Sequence, residues 1–212
     1  MTESERLRRE ALGLLPAEAE EAAKDAEQLI AVRHLEGSHA LFTYFRKTEA
    51  GWTRVFTCDA NIGKNGVGKT REGDMKTPLG VFSLSCPFGI KPDPSAGDPY
   101  GRTAASYLLL TEHHYWCGQS GPYYNQLIDN RTPPEGYAPS SADEHLIRYS
   151  PSYHYSMFID YNRAGEAHLG SCIFLHCKSK SPHTAGCVAI DEWLMRELLL
   201  ELNEGAKIVI YE

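Results

Sequence analysis

From Leu29 onward, most of the chain consists of short apolar or alternating runs separated by Gly, Pro, Asn and Asp. Runs of this length, rich in β-branched and aromatic residues and bounded by turn residues, are typical of strands. This texture predicts a mostly antiparallel β domain over residues 29–212. The clearest runs are Leu41–Phe45, Val55–Thr57, Val81–Leu84, Tyr107–Thr111, Met157–Tyr161, Cys172–His176 and Lys207–Tyr211.

Two segments depart from this texture and predict helices. Residues 3–28 are rich in Glu, Ala, Leu, Arg and Lys, so we expect a helical N-terminal appendage over residues 1–28, divided into two short helices at Pro16. A second helical segment follows Asp191, which can cap it, and Gly205 can end it. Its apolar stripe consists of Leu194, Met195, Leu198, Leu199 and Leu202.

Length, composition and charge exclude several classes of protein. At 212 residues, the chain is long enough for one domain with an added segment. A net charge of −7 without a basic stripe argues against nucleic-acid binding. No apolar run has the length of a membrane span, and residues 1–30 lack the apolar stretch of a signal peptide. Six sparse, irregularly spaced cysteines do not predict a disulfide scaffold.

The stretch between Cys86 and Pro139 is crowded with Pro, Gly, Tyr and Asn. It is too long for a plain connection between two elements, which predicts a functional lid or a binding insertion.

Residues 63–70 read Gly-Lys-Asn-Gly-Val-Gly-Lys-Thr and satisfy the phosphate-loop pattern G-x-x-x-x-G-K-[ST]. A phosphate loop must open a helix whose N-terminal amides face the phosphates. Gly73, Pro78 and Gly80 follow at once and prevent a long helix. The context therefore disfavours nucleotide binding.

Five possible zinc ligands occur within sixteen residues, namely Cys172, His176, Cys177, His183 and Cys187. In a strand, alternation places Cys172 and His176 on one face and Cys177 on the other, so all of them cannot converge on one ion. No C-x-x-C pair supplies the usual spacing. We therefore expect no metal and no cofactor.

Nucleophilic catalysis explains more of the same segment. In Thr184-Ala185-Gly186-Cys187 a thiol follows a glycine, where backbone amides can approach a substrate carbonyl and stabilise an oxyanion. His176 lies eleven residues upstream at a strand end, so a loop can bring its ring to the thiol and lower the thiol pKa. The alternative is that Cys187 is a small buried apolar residue.

Several ordered motifs resemble the YkuD family of L,D-transpeptidases. Residues 170–177 and 184–190 are similar to its catalytic segment, in the branch that carries T-A-G-C. Residues 72–82 resemble its D-x-x-T-P-x-G-x-F segment, and residues 122–126 and 153–162 resemble its middle segments. The similarity spans about residues 40–211.

The resemblance implies a β-sandwich or barrel and a cysteine enzyme of the cell envelope. Cys187 would attack a peptidoglycan stem peptide and form an acyl-enzyme, which an amine converts to a cross-link or water to a trimmed peptide. His176 carries over as the base, the amides of Gly186 and Cys187 as oxyanion donors, and Thr184 as a loop-stabilising or substrate-facing residue.

Other functions and roles remain open. The enzyme could act by hydrolysis, as an L,D-carboxypeptidase or amidase, including one acting on unrelated amides inside the cell, or the domain could be a non-catalytic wall-binding module. Tyr124 and Asn125 are candidate substrate contacts, with tight-turn chemistry as the alternative. His145 is a candidate for orienting substrate, with a structural role as the alternative.

The chain departs from better-known members at two positions. They read S-H-G-C with an Arg two residues after the cysteine, whereas this chain has Ala185 and Ala189 there. An Arg would bind a substrate carboxylate, and Ala cannot. We therefore expect Lys178 or Lys180, in the loop between base and nucleophile, to hold that carboxylate.

Overall fold

The computed structural model describes residues 2–96 and 106–212. The α-helices are α1 (Glu3–Ala11) and α2 (Glu192–Glu201). The strands are β1 (Gln28–Glu36), β2 (His39–Thr48), β3 (Gly51–Asn61), β4 (Gly80–Gly89), β5 (Leu108–Leu109), β6 (His114–Trp116), β7 (Leu127–Asp129), β8 (Glu144–His145), β9 (Ser156–Ile159), β10 (Phe174–Cys177), β11 (Val188–Ile190) and β12 (Lys207–Tyr211).

Nine strands form one sheet in the order β12-β1-β2-β3-β11-β10-β9-β4-β5. The sheet closes on itself because β12 also pairs with β4. Most neighbours are antiparallel, while β1 with β12, β10 with β11 and β4 with β5 run parallel. A small second sheet has the order β7-β6-β8. The predicted β-rich, barrel-like fold with one helix after Cys187 is confirmed.

Side chains of β1 are buried on both faces of the strand. Ile30 and Val32 point into the barrel core, while Leu29 and Ala31 point outward and pack under the N-terminal segment. Alternation along a strand requires this division, and cover on both sides explains why the run is continuously apolar.

The N-terminal segment differs from the expected pair of helices. Thr2 caps α1 through a reciprocal capping box with Glu5, and the helix ends at Ala11. The chain then turns at Gly13, which has a φ of +67°, and Pro16 is extended. Beyond it lie only short 3₁₀ turns at Ala17–Ala19 and Ala22–Lys24, so the second predicted helix is wrong. The division of the chain at residue 28 stays a prediction.

Helix α2 buries four members of the predicted stripe, Leu194, Met195, Leu198 and Leu199, and Leu202 is buried just after its end. The predicted start at Asp191 is confirmed, whereas the predicted end needs correction. Asp191 occupies the N-cap position without a capping bond, and its carboxylate instead lies 3.1 Å from Lys178 Nζ. The helix ends before Gly205, because Leu202 is already extended. None of the helices in the described ranges has the length and apolar character needed to cross a membrane.

The Cys86–Pro139 stretch contributes β5, β6, β7 and the turns between them. Residues 97–105 of this predicted insertion lie outside the described residues. The described part packs Leu110 and Trp116 against β9 and β10 in an apolar group that we call the site-side cluster. This cluster consists of Phe88, Leu110, Trp116, Leu146, Tyr153, Phe158, Phe174 and Cys187. The insertion therefore supports the region around Cys187.

Candidate active site

A cavity of about 460 Å³ lies beside the site-side cluster. One wall comes from the loop after β3, which contributes Lys69 and Glu72. Glu144 lines it from the small sheet, and the segment from β10 to β11 contributes His176 and Cys187. The two residues expected to be base and nucleophile therefore share one cavity.

Strand alternation sets which residues of β10 and β11 face this cavity. His176 and Ala189 are register partners on the parallel strands, and both line the cavity. Cys177 points the other way, into the barrel core, and its thiol donates to the carbonyl of Tyr155. The predicted separation of His176 from Cys177 is confirmed.

The Cys187 thiol is 6% exposed and is held by backbone groups. Its Sγ accepts a hydrogen bond from the Phe174 amide at 3.3 Å and donates to the Cys172 carbonyl at 3.2 Å. Burial and, to a smaller extent, the negative charge of Glu144 raise the pKa of Cys187 to about 12. The expected lowering of the thiol pKa is therefore wrong for the resting protein.

His176 is buried and uncharged. Its Nδ1 lies 2.8 Å from the carbonyl of Cys177, which can only accept, so Nδ1 carries the proton and Nε2 keeps its lone pair. Burial lowers its pKa to about 4. The ring packs edge-on against Tyr153, with centroids 5.5 Å apart. Among the described residues, neither ring nitrogen is hydrogen-bonded to Cys187 Sγ, although both side chains line the same cavity.

Thr184 and Gly186 shape the turn that carries the thiol. Thr184 Oγ1 donates to the Cys187 carbonyl at 2.7 Å and accepts from the Gly186 amide at 3.1 Å. The Gly186 amide is therefore engaged, which corrects its expected role as an oxyanion donor. A Cβ on Gly186 would lie 2.8 Å from the Lys76 carbonyl, so glycine is needed for close packing.

The D-x-x-T-P-x-G-x-F segment braces the same turn from the other side. Thr77 is fully buried. Its Oγ1 accepts a hydrogen bond from the Gly63 amide and donates one to the Cys187 carbonyl at 3.4 Å. Asp74 accepts from three backbone amides and from Lys69 Nζ at 3.1 Å. The phosphate-loop-like residues 63–70 form an irregular loop instead of a helix start, as the glycines and Pro78 predict.

Glu144 is a cavity residue that sequence reasoning missed. Its Oε2 accepts a hydrogen bond from the Tyr153 hydroxyl at 2.6 Å. Burial raises the pKa of Glu144 to about 7. The sequence feature that could have identified it is the Glu144-His145 pair in a strand. Because side chains alternate along a strand, only one of the two can face the site.

His145 is the member of that pair that faces away. Its ring stacks on Tyr115 with centroids 4.3 Å apart, and its Nε2 lies 2.9 Å from the Glu112 carbonyl. His145 does not line the cavity, which corrects its predicted substrate contact.

The two predicted lysines also need correction. Lys178 pairs with Asp191, and neither it nor Lys180 lines the cavity. Ser179 and Ser181 of the same loop do. Among the described residues, Lys69 is the one Lys or Arg on the cavity wall, and it is already paired with a carboxylate.

Tyr124 and Asn125 form hydrogen bonds within the protein that hold neighbouring loops together, which corrects their predicted substrate contacts. Asn125 is 3% exposed, with its Oδ1 bonded to Trp116 Nε1 and the Cys172 amide and its Nδ2 to two backbone carbonyls. The Tyr124 hydroxyl donates to Glu72 at 2.7 Å. Neither residue lines the cavity.

We expect Asn125→Ala to lower the free energy of unfolding by about 3 kcal/mol, because buried donors and acceptors lose their partners. Urea denaturation followed by circular dichroism measures this loss. Gln126→Ala is the matched control, since its amide makes an exposed bond to Pro122, and we expect a change below about 0.5 kcal/mol. A native-like stability of Asn125→Ala with weakened substrate binding would restore the substrate-contact interpretation.

Solved structures with similar folds include Bd1075 from Bdellovibrio bacteriovorus, at 14% identity and a TM-score of 0.44 over 88% of this chain and 48% of that chain. They also include the helical cell shape determining protein Pgp2 from Campylobacter jejuni, at 14% identity and a TM-score of 0.44 over 89% and 48%. The chain thus spans about half the length of these two proteins. No curated protein sequence matches it.

The match to a protein family is extensive. Residues 35–210 match the family model described as YkuD, the L,D-transpeptidase catalytic domain. This range agrees with the span of about 40–211 over which the motifs resemble that family. It contains the strands β2 to β11 in full, the last two residues of β1 and all of β12 except Tyr211. The chain belongs to the YkuD family of L,D-transpeptidase catalytic domains.

Proposed function

We propose that this chain is a cysteine acyltransferase that acts on peptidoglycan stem peptides as an L,D-transpeptidase. The observation that carries the proposal is the shared cavity, which is lined by the Cys187 thiol, by the His176 imidazole with a free Nε2 lone pair and by residues with unengaged backbone amides. Membership of the YkuD family supports the choice of substrate.

Proton transfer in this site starts from two neutral groups. With a thiol pKa of about 12 and an imidazole pKa of about 4, the resting pair does not form a thiolate and an imidazolium. His176 Nε2 therefore removes the Cys187 proton as Sγ attacks the peptide carbonyl, which is general base catalysis. The imidazolium then gives the proton to the leaving amine, and a thioester remains on Cys187.

The oxyanion requires donors other than the Gly186 amide. In the described part of the chain, the amides of Ala185 and Cys187 make no hydrogen bond, and both residues line the cavity. We assign these two amides to the developing oxyanion, where preorganised N–H groups stabilise negative charge without reorganising.

The second half of the reaction transfers the acyl group. An amine from another stem peptide attacks the thioester and gives its proton to His176. The new amide bond forms as the bond from carbon to Sγ breaks, and His176 returns the proton to the departing sulfur, which restores the thiol. Such a reaction places the protein at the cell envelope, where stem peptides and their acceptors occur.

Incubation of the protein with purified tetrapeptide muropeptides, followed by mass spectrometry, tests this function. We expect an acyl adduct on the peptide that contains Cys187 and the release of the terminal amino acid, with cross-linked dimers as the transfer product. Cys172→Ala serves as the control for a neighbouring cavity thiol and keeps the adduct. An adduct on another cysteine, or no adduct and no product, would contradict the proposal.

A further inference from the structure

The carboxyl group of Glu144 is only half engaged. The Tyr153 hydroxyl occupies Oε2, whereas Oε1 has no hydrogen-bond partner among the described residues. Glu72, the other Glu on the cavity wall, has both oxygens engaged by Tyr124, Ser171 and the Gly73 amide. Glu144 is therefore the carboxyl group in this cavity that remains available to a ligand.

No described cation balances a charge on Glu144. The titratable groups that interact with it include the thiols of Cys172 and Cys187, the hydroxyls of Tyr149 and Tyr153, and the carboxylate of Glu72. The imidazoles of His176 and His183 line the same cavity, and neither forms an ion pair with Glu144 in the described part of the chain. Lys69 also lines the cavity, but its ammonium group bonds Asp74 and the Arg71 carbonyl. A carboxylate on Glu144 therefore has no counter-charge among the described residues.

This charge acts on the nucleophile. A negative Glu144 opposes formation of a thiolate and raises the pKa of Cys187. A ligand cation beside Oε1 cancels that field, so ligand binding and thiol ionisation favour each other.

We propose that Glu144 binds a primary ammonium group of the substrate, near the reacting carbonyl, and that this pairing makes Cys187 easier to deprotonate. Glu144 is then a residue that determines specificity, and the site reacts fastest with substrates that carry the cation. The inference relies on the proposed function only in taking Cys187 as the nucleophile.

The test uses a small ammonium ion and needs no peptide. Alkylation of Cys187 by iodoacetamide is followed by mass spectrometry at pH 8, with propylammonium chloride or an equal concentration of KCl. We expect propylammonium to raise the rate roughly tenfold, the effect of one pKa unit on the thiolate fraction. At pH 6, where Glu144 is mostly protonated, the increase should be small.

Variants identify the responsible carboxyl group. Glu144→Gln should label faster than the wild type in KCl and gain nothing from propylammonium, whereas Glu112→Gln, an exposed carboxyl elsewhere, should respond like the wild type. Equal acceleration in Glu144→Gln would overturn the proposal. An alkylation rate of wild-type Cys187 that propylammonium does not change at pH 8 would also overturn it. That result does not depend on how any variant folds. A protein that fails with muropeptides and still shows the ammonium effect would contradict the proposed function alone.

Discussion

Replacing His176 with Gln is expected to slow acylation of Cys187 by about 10³-fold, within the range that a lost general base produces. The Cys187 thiol has a pKa of about 12, so almost no thiolate exists at neutral pH without a base. Gln can keep a hydrogen bond to the Cys177 carbonyl, but it cannot accept the proton.

Rates of acyl adduct formation across pH measure this role. Burial lowers the pKa of His176 to about 4, so the loss of rate caused by protonation of this ring should occur near pH 4, well below the pH at which Glu144 is protonated. In His176→Gln this acid limb should disappear along with the activity. His145→Gln is the control, because that ring stacks on Tyr115 outside the cavity, and it should retain the wild-type profile. A full rate in His176→Gln would remove the histidine from the mechanism.

The strand pattern predicted much of the fold because alternation reports which face of a strand is buried. In β10, Leu175 and Cys177 enter the barrel core while His176 faces the cavity. The closure of the sheet through β12, β1 and β4 was not predictable in this way. Those pairings join strands far apart in the chain, and the apolar pattern of one strand does not identify its partner.

Local sequence identified Cys187 and His176, which share the cavity, but it did not predict the protonation state of either group. The glycine before Cys187 and the histidine at a strand end are local features. The raised thiol pKa depends on burial and on Glu144, which is 43 residues earlier in the chain. Because His176 is close to Cys187 in sequence, we expected the imidazole to lower the pKa of the thiol. In the folded protein, desolvation of the thiol has the larger effect and raises its pKa.

Loop side chains were the least predictable part of the site. Asn125 was expected in the cleft, but its partners include Tyr161 and Cys172, 36 and 47 residues away, which no local pattern shows. Lys178 lies close to Cys187 in sequence, yet its side chain turns to Asp191. Without strand periodicity, the direction of a loop side chain depends on contacts that form only in the folded protein.

Asp74→Asn is expected to lower the free energy of unfolding by about 3 kcal/mol, because it breaks a buried ion pair and leaves Lys69 without its counter-charge. The two side chains are 7% and 2% exposed, so solvent does little to screen their interaction. In the wild type, the two carboxylate oxygens of Asp74 accept hydrogen bonds from the amides of Thr70, Arg71 and Lys76. Asn has only one acceptor oxygen and cannot replace both. The loop that contacts the Cys187 turn through Thr77 should become less ordered as a result.

The pH dependence of stability separates this effect from a general packing defect. Burial alone would raise the pKa of Asp74, but hydrogen bonds from the backbone amides and Lys69 hold it at about 2, below its ordinary value of 3.8. A carboxyl group with a lowered folded pKa contributes stability above its unfolded pKa, and that contribution is lost as the pH falls through the folded value. The stability difference between wild type and Asp74→Asn, measured by urea denaturation, should therefore be constant from pH 7 to about pH 4 and shrink by about 2 kcal/mol on approaching pH 2. Asp25→Asn, at an exposed carboxylate, is the control and should track the wild type. A difference that stays constant down to pH 2 would show that the charge of Asp74 does not stabilise this loop.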